Sequence, residues 1–221
     1  MYNQPLFCKI SKHANWAGMS GNNGGYTPQY SLYFDGTNDY VSIGSGSQSA
    51  LATNNFTITA RVRMERSDGA QGDVDKNMAF VGKSSNTSNI LIFGVYNDGS
   101  QRKWHLNLRD DSFKVDNSLV DYPTSRKWYH VAVTGEQAGS NTIAKIYING
   151  VLAGTQTMST VLTPALSTDK SVILGAEHDG SSLSDYLRGY MKDVGFWNVA
   201  LDQANIQAIH NNNNALTYNG P

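Results

Sequence analysis

The 221-residue sequence predicts an all-β fold, two antiparallel sheets packed as a jelly-roll sandwich with one short C-terminal helix. Three observations predict it. Short segments alternate apolar and polar side chains, the period of a strand with one buried and one wet face. Turn signals rich in Gly, Asn and Asp separate them. One stretch near the end has a helix start signal and helical spacing.

Residues 1–30 stand apart as an arm. Ser20-Gly21-Asn22-Asn23-Gly24-Gly25 is turn-forming, yet Phe7, Trp16, Tyr26 and Tyr30 surround it. A tail that stays in water is normally poor in aromatics. Two readings stay open: the arm packs on its own sandwich, or it docks on a neighbouring copy or a capsid or tail protein. The sandwich is expected over 31–221. Ser31–Val41 alternates, breaks at Asp35-Gly36-Thr37-Asn38-Asp39 and resumes as a strand. In the next strand Phe56, Ile58, Ala60, Val62 and Met64 share one face, and Thr57, Thr59, Arg61, Arg63 and Glu65 share the wet one. Residues 78–83 and 89–96 are apolar throughout and read as central strands. Asn97-Asp98-Gly99 signals a hairpin into 102–109, where Trp104, Leu106 and Leu108 oppose His105, Asn107 and Arg109. Residues 128–133 follow. Asn149-Gly150 joins 142–149 to 151–158 in a second tight hairpin. Residues 171–176 and 186–199 complete the strands. A helix is expected at 202–211, capped by Asp202, with Ile206 and Ile209 facing the sandwich.

Composition narrows the function. The net charge is −1, charged residues make up 16%, and no basic stripe stands out, so nucleic acid is not an expected partner. No stretch reaches the apolar length of a membrane span. The single cysteine, Cys8, forbids an internal disulfide and a cysteine-pair zinc site. Met1–Lys9 lacks a basic region followed by an apolar core, so no leader is read there.

Five segments in order carry a family resemblance: Ser31–Val41, Asn55–Ala60, Trp128–Val133, Lys145–Val151, and Gly189–Trp197, which ends Asp193-Val194-Gly195-Phe196-Trp197. Together they resemble the concanavalin A-like lectin/glucanase superfamily, most closely its laminin G-like branch, with pentraxins as distant relatives. The resemblance implies a concanavalin A-like sandwich and a recognition function, and it names no ligand. Relatives mostly work outside cells. An extracellular or virion-surface location is therefore expected, with assembly into a phage or virus particle as one route for a chain without a leader.

The superfamily also holds glycoside hydrolases, whose chemistry needs paired carboxyl groups. In those relatives they form Glu-x-Asp-x-x-Glu on one strand. This chain has three glutamates, Glu65, Glu136 and Glu177, none with a second within reach on its strand. Asp110 and Asp111 are adjacent and point to opposite sides of an extended chain. No His-Glu-x-x-His or Gly-x-Ser-x-Gly occurs. The chain is therefore not expected to be an enzyme. The leading expectation is a non-catalytic module that binds carbohydrate, with Ca²⁺ as a candidate cofactor. A structural assembly or adhesion module is the alternative, and a glycoside hydrolase the second.

The resemblance implies a structural calcium held by Asp35, Gly36 and Asp193. A second candidate is the loop bearing Asp73, Asp75 and Asn77, which imitates the opening of an EF-hand loop. Met78 and Ser84 stand where that loop needs Gly and Glu. Trp104, Trp128 and Trp197 read as core. The expected surface contacts for a glycan are Tyr96, His105, Asn107, Arg109, Tyr147 and Tyr186. The polar face with Arg61, Arg63, Lys145 and Tyr147 suits a protein surface or an acidic glycan.

Overall fold

The computed structural model describes residues 31–45, 51, 54–72, 74–84, 89–97, 99, 102–109, 111–115, 123–162, 171–179 and 182–211. The arm over 1–30, Cys8 included, and Asp73 lie outside the described residues. A front sheet runs β1 (Leu32–Asp35), β14 (Arg188–Trp197), β3 (Asn55–Met64), β8 (Trp128–Ala138), β9 (Asn141–Ile148), β10 (Val151–Met158). A back sheet runs β2 (Val41–Ser45), β11 (Ser171–Leu174), β4 (Met78–Ser84), β5 (Asn89–Asn97), β6 (Arg102–Leu108), β7 (Asp111–Val115). A small ribbon, β12 (Glu177–Asp179) with β13 (Ser182–Ser184), and helix α1 (Gln203–Asn211) complete the described elements. The ladders of both sheets are antiparallel, as expected.

The alternation read from the sequence builds the core. Phe56, Ile58, Ala60, Val62 and Met64 of β3 are all fully buried. Trp104, Leu106 and Leu108 of β6 meet them from the back sheet in one cluster. Tyr129 of β8 packs edge-on against Trp104 at 5.0 Å, joining the sheets through aromatic contact. Its hydroxyl is paired with the Thr124 hydroxyl at 2.7 Å, so this phenol is not left unpaired inside. β4 and β5 are central, as their continuous apolar character predicts.

Turn chemistry sets the registers. Asn149 and Gly150 have φ of 51° and 80°, the two positive values of a two-residue hairpin, and Ile148 pairs with Val151. The hairpin after β5 leads into Arg102 as expected: Asn97 pairs with Arg102, so four residues intervene. The Asn97 side chain accepts from the Gly99 amide at 2.8 Å. The expected strand over 186–199 begins only at Arg188, and β13 is separate from it.

Helix α1 changes the front sheet's outer face. Asp202 caps it, its carboxylate accepting from the Asn205 amide at 2.8 Å. Arg61 donates to the carbonyl of His210 at 2.6 Å in the last turn, where helix carbonyls lack partners. Ile206 and Ile209 are buried, as expected, against Ala132, Tyr147, Trp197 and Leu201. Two expectations fail here. Thr57 and Thr59, read as wet, are fully buried. Thr57 donates to the Val199 carbonyl at 2.7 Å and accepts from the Leu201 amide at 2.9 Å. Tyr147, read as a surface contact, is only 1% exposed beneath the helix. Trp128 errs in the opposite direction: read as core, it is 37% exposed on the outer face. Trp104 and Trp197 are buried as expected, the latter in the helix cluster.

Candidate functional site

The residues implied for calcium do not converge. Asp35 pairs across the ladder with Arg188, whereas Asp193 lies five residues further along β14, beyond the end of β1. The Asp35 carbonyl accepts from Arg188 at 3.1 Å and the Gly36 carbonyl from Lys76 at 2.7 Å. Two protein cations thus hold the oxygens a metal would need. The Asp35 carboxylate is turned on its own loop, accepting from the amides of Thr37 at 2.7 Å and Asn38 at 3.2 Å. The first of these bonds is the main cause that holds its carboxyl below the usual range. Asp193 has φ of 52° in a bulge of β14 opposite β3. Bulges re-aim side chains, and this one sets the carboxylate 3.4 Å from the Arg61 Nε. Burial pushes the Asp193 carboxyl up, against Lys192 and Arg61.

The second loop does not converge either. Asp75 accepts from the amide of Ser67 at 3.0 Å and from its hydroxyl. Asn77 accepts from the Asn97 amide at 2.8 Å. Both side chains tie loops to the sandwich. Among the described residues, no three His, Cys, Asp or Glu side chains gather to hold a metal.

The back sheet's outer face does gather expected contacts. Gly94 of β5, His105 of β6 and Lys114 of β7 form one cross-strand row. Tyr96 of β5 lies with its ring edge against His105, centroids 5.6 Å apart. The Lys114 ammonium sits 3.5 Å from the centre of the Tyr96 ring, a cation–π contact. His105 Nε2 is 3.0 Å from the Ser112 hydroxyl. Burial, then Lys114, pulls the imidazole pKa down to about 4, so it is neutral at physiological pH. One row along, Asn107 pairs with Ser112, and its side-chain oxygen has no hydrogen-bond partner. This face therefore offers an aromatic ring, a cation and a neutral imidazole, while the Asn107 oxygen is buried beside them. Arg109 belongs to the same strand but lies past its end, with φ of 57° and its amide bonded to the Ile90 carbonyl at 2.9 Å. Tyr186 is half-buried in the connection from β13 to β14 and comes from a different element. Lys114 was not singled out from the sequence, although its place between Phe113 and Val115 aims it outward.

A carboxylate pair was also missed. The chain at Ala176–Glu177 runs flush over β4: a Cβ on Gly82 would come within 2.5 Å of the Ala176 carbonyl. Glu177 is buried beside Asp185, the two carboxyl groups hydrogen-bonded to each other. Burial and mutual repulsion push Glu177 up, and burial pushes Asp185 up against a hydrogen bond from Asn77. No spacing rule joins residues 177 and 185; only the turn back through β13 does.

Comparisons with known proteins agree with this architecture. A laminin G-type family model, described as the Concanavalin A-like lectin/glucanases superfamily, matches residues 35–207. No curated protein matches the sequence. Among solved structures, a native heptameric SAP-like pentraxin from Limulus polyphemus is 18% identical, with 80% of each chain covered and a TM-score of 0.62. The CBM40 of a Ruminococcus gnavus IT-sialidase, bound to α2,3-sialyllactose, is 14% identical over 78% of this chain and 96% of that one, TM-score 0.54. The NanB sialidase from Streptococcus pneumoniae is 16% identical over 80% of this chain but only 27% of its own, TM-score 0.56. At these identities the likeness is one of fold.

Proposed function

Because the chain belongs to the Concanavalin A-like lectin/glucanases superfamily, we propose that it is a non-catalytic recognition module binding carbohydrate on the outer face of its back sheet. One observation carries the reading: Tyr96, His105 and Lys114 meet on that face around an aromatic ring. A sugar presents an apolar face to such a ring and hydroxyls to the polar groups beside it. The Ruminococcus gnavus domain, described with sialyllactose bound, supports a glycan as the ligand class. The sialidase spans several times this chain's share of it, so its activity is not carried over. A module displayed outside the cell, or on a phage or virus particle, is the setting we propose.

Calcium enters this proposal only at Glu177 and Asp185. A buried and a half-buried carboxyl group in contact oppose each other's ionisation, a conflict that a divalent cation relieves. These two carboxyl groups would hold it. The test is a glycan-array survey of the full chain, followed by calorimetric titration of Tyr96→Ala and His105→Gln, with and without chelator. Binding that Tyr96→Ala abolishes supports the site, and loss on chelation supports calcium assistance. Binding unchanged in both variants overturns the site. Release of shortened products from a bound oligosaccharide overturns the non-catalytic reading.

A further inference from the structure

The other sheet carries a surface of a different character. The register places Tyr33 of β1, Tyr190 of β14, Arg63 of β3 and Trp128 of β8 in one row across four adjacent strands. All four share the outer face, and at ~4.8 Å between strands the row spans roughly 14 Å. The rings touch in series. Tyr33 and Tyr190 have centroids 5.0 Å apart at 54°, and Trp128 and Tyr190 are 6.5 Å apart at 51°. Cations lie against two of these rings. The Arg63 guanidinium is 5.3 Å from the centre of Tyr190, and the Lys192 ammonium 5.0 Å from that of Trp128. The next row is Lys192, Arg61 and His130. Beyond it stands α1 as a wall, its His210 ring against His130 at 5.4 Å.

We propose that this open part of the front sheet is a second binding site, for a carboxylate-bearing oligosaccharide stacked along Tyr33, Tyr190 and Trp128 with its acid groups toward Arg63 and Lys192. The chemistry selects this occupant. A row of rings on a sheet face, Trp128 exposed and Tyr33 and Tyr190 half-buried, suits the apolar faces of successive sugar units. Rings tilted by 51–54° give no flat slab for a planar base. The positive charge is not fully neutralised. Arg61 and Lys192 share the one carboxylate of Asp193, and Arg63 and Arg126 share that of Glu65, so cations outnumber carboxylates on this face. A neutral sugar leaves that charge unused. An acidic peptide added as a strand would pair along the β1 edge, parallel to the strands and off the row that crosses β14, β3 and β8.

The site is independent of the back face, so the two can fail separately. The experiment titrates the full chain with oligogalacturonate and oligomannuronate, each beside its carboxyl-reduced neutral counterpart, and with polyglutamate. We expect an oligouronate to bind, the reduced form to bind at least about tenfold more weakly, and added salt to weaken binding. Trp128→Ala and Lys192→Gln should each weaken it about tenfold, while Tyr96→Ala leaves it unchanged. Trp128 is exposed and Lys192 half-buried, and an unchanged melting curve for each variant confirms the fold. Equal binding of the reduced sugars overturns the proposal, as does no binding of either oligouronate. Polyglutamate bound more tightly than both would also overturn it, assigning the face to an acidic protein. If Tyr96→Ala alone abolishes oligouronate binding, the ligand belongs to the back face and this site is refuted.

Discussion

At the scale of the residue, His105 gives a pH test with a definite sign. Its folded pKa is about 4, below the ordinary value of about 6.5. Between these values the unfolded chain binds a proton that the folded chain refuses, so stability from this group rises with pH. It is fully present above about 6.5 and is lost as pH falls toward 4. Glu177 works the other way: raised in the folded state, it stays protonated while the unfolded carboxylate is already ionised, so its contribution falls as pH rises toward neutrality. The expected outcome is that His105→Gln loses less stability than wild type between pH 6.5 and 4, read by urea melts. Parallel curves for the two proteins over that window would show that burial does not shift this histidine. The sequence made His105, Tyr96 and Asn107 legible because strand alternation fixes the side of a sheet. It could not reveal the Glu177–Asp185 contact, which depends on where a ribbon folds back. Nor could it reveal that Lys76 and Arg188 fill the carbonyls of Gly36 and Asp35.

At the scale of the element, α1 is the piece whose reach the alternation concealed. Its own boundaries were readable, since Asp202 and the Ile206–Ile209 spacing are local signals. The surface it covers was not, because coverage is a long-range property of the fold. Thr57, Thr59 and Tyr147 lie on what alternation alone reads as a wet face, whereas Trp128 lies outside the cluster the helix covers. Ile206, on the helix face turned to the sheet, is fully buried. Ile206→Ala should therefore destabilise by about 2–5 kcal/mol, through lost burial and the cavity left behind. Urea denaturation checks it, and a loss near zero would mean that the helix is loosely docked.

At the scale of the whole molecule, both sheets close within residues 31–211. Deletion of residues 1–30 is expected to leave a folded sandwich, with a melting shift below about 3 °C. Sizing of the deletion product tests whether the arm mediates self-association or particle binding, the role we propose for it. An unfolded product would place the arm in the core instead. The fold was legible at this scale because five ordered motifs and their alternation agree, whereas the arm's partner was not, since aromatics in a Gly-Asn-rich segment fit either acceptor. One feature of the front sheet reaches further. Tyr33 stands on β1, a four-residue strand at the sheet's edge with one hydrogen-bonded neighbour among the described residues. Edge elements of that size open locally at little cost while the interior stays shut. The aromatic row therefore has a fixed part on β14, β3 and β8 and a breathing end on β1. A long ligand would have to still that end, so it should bind with slower amide exchange over Leu32–Asp35. A short one would leave the strand's breathing untouched.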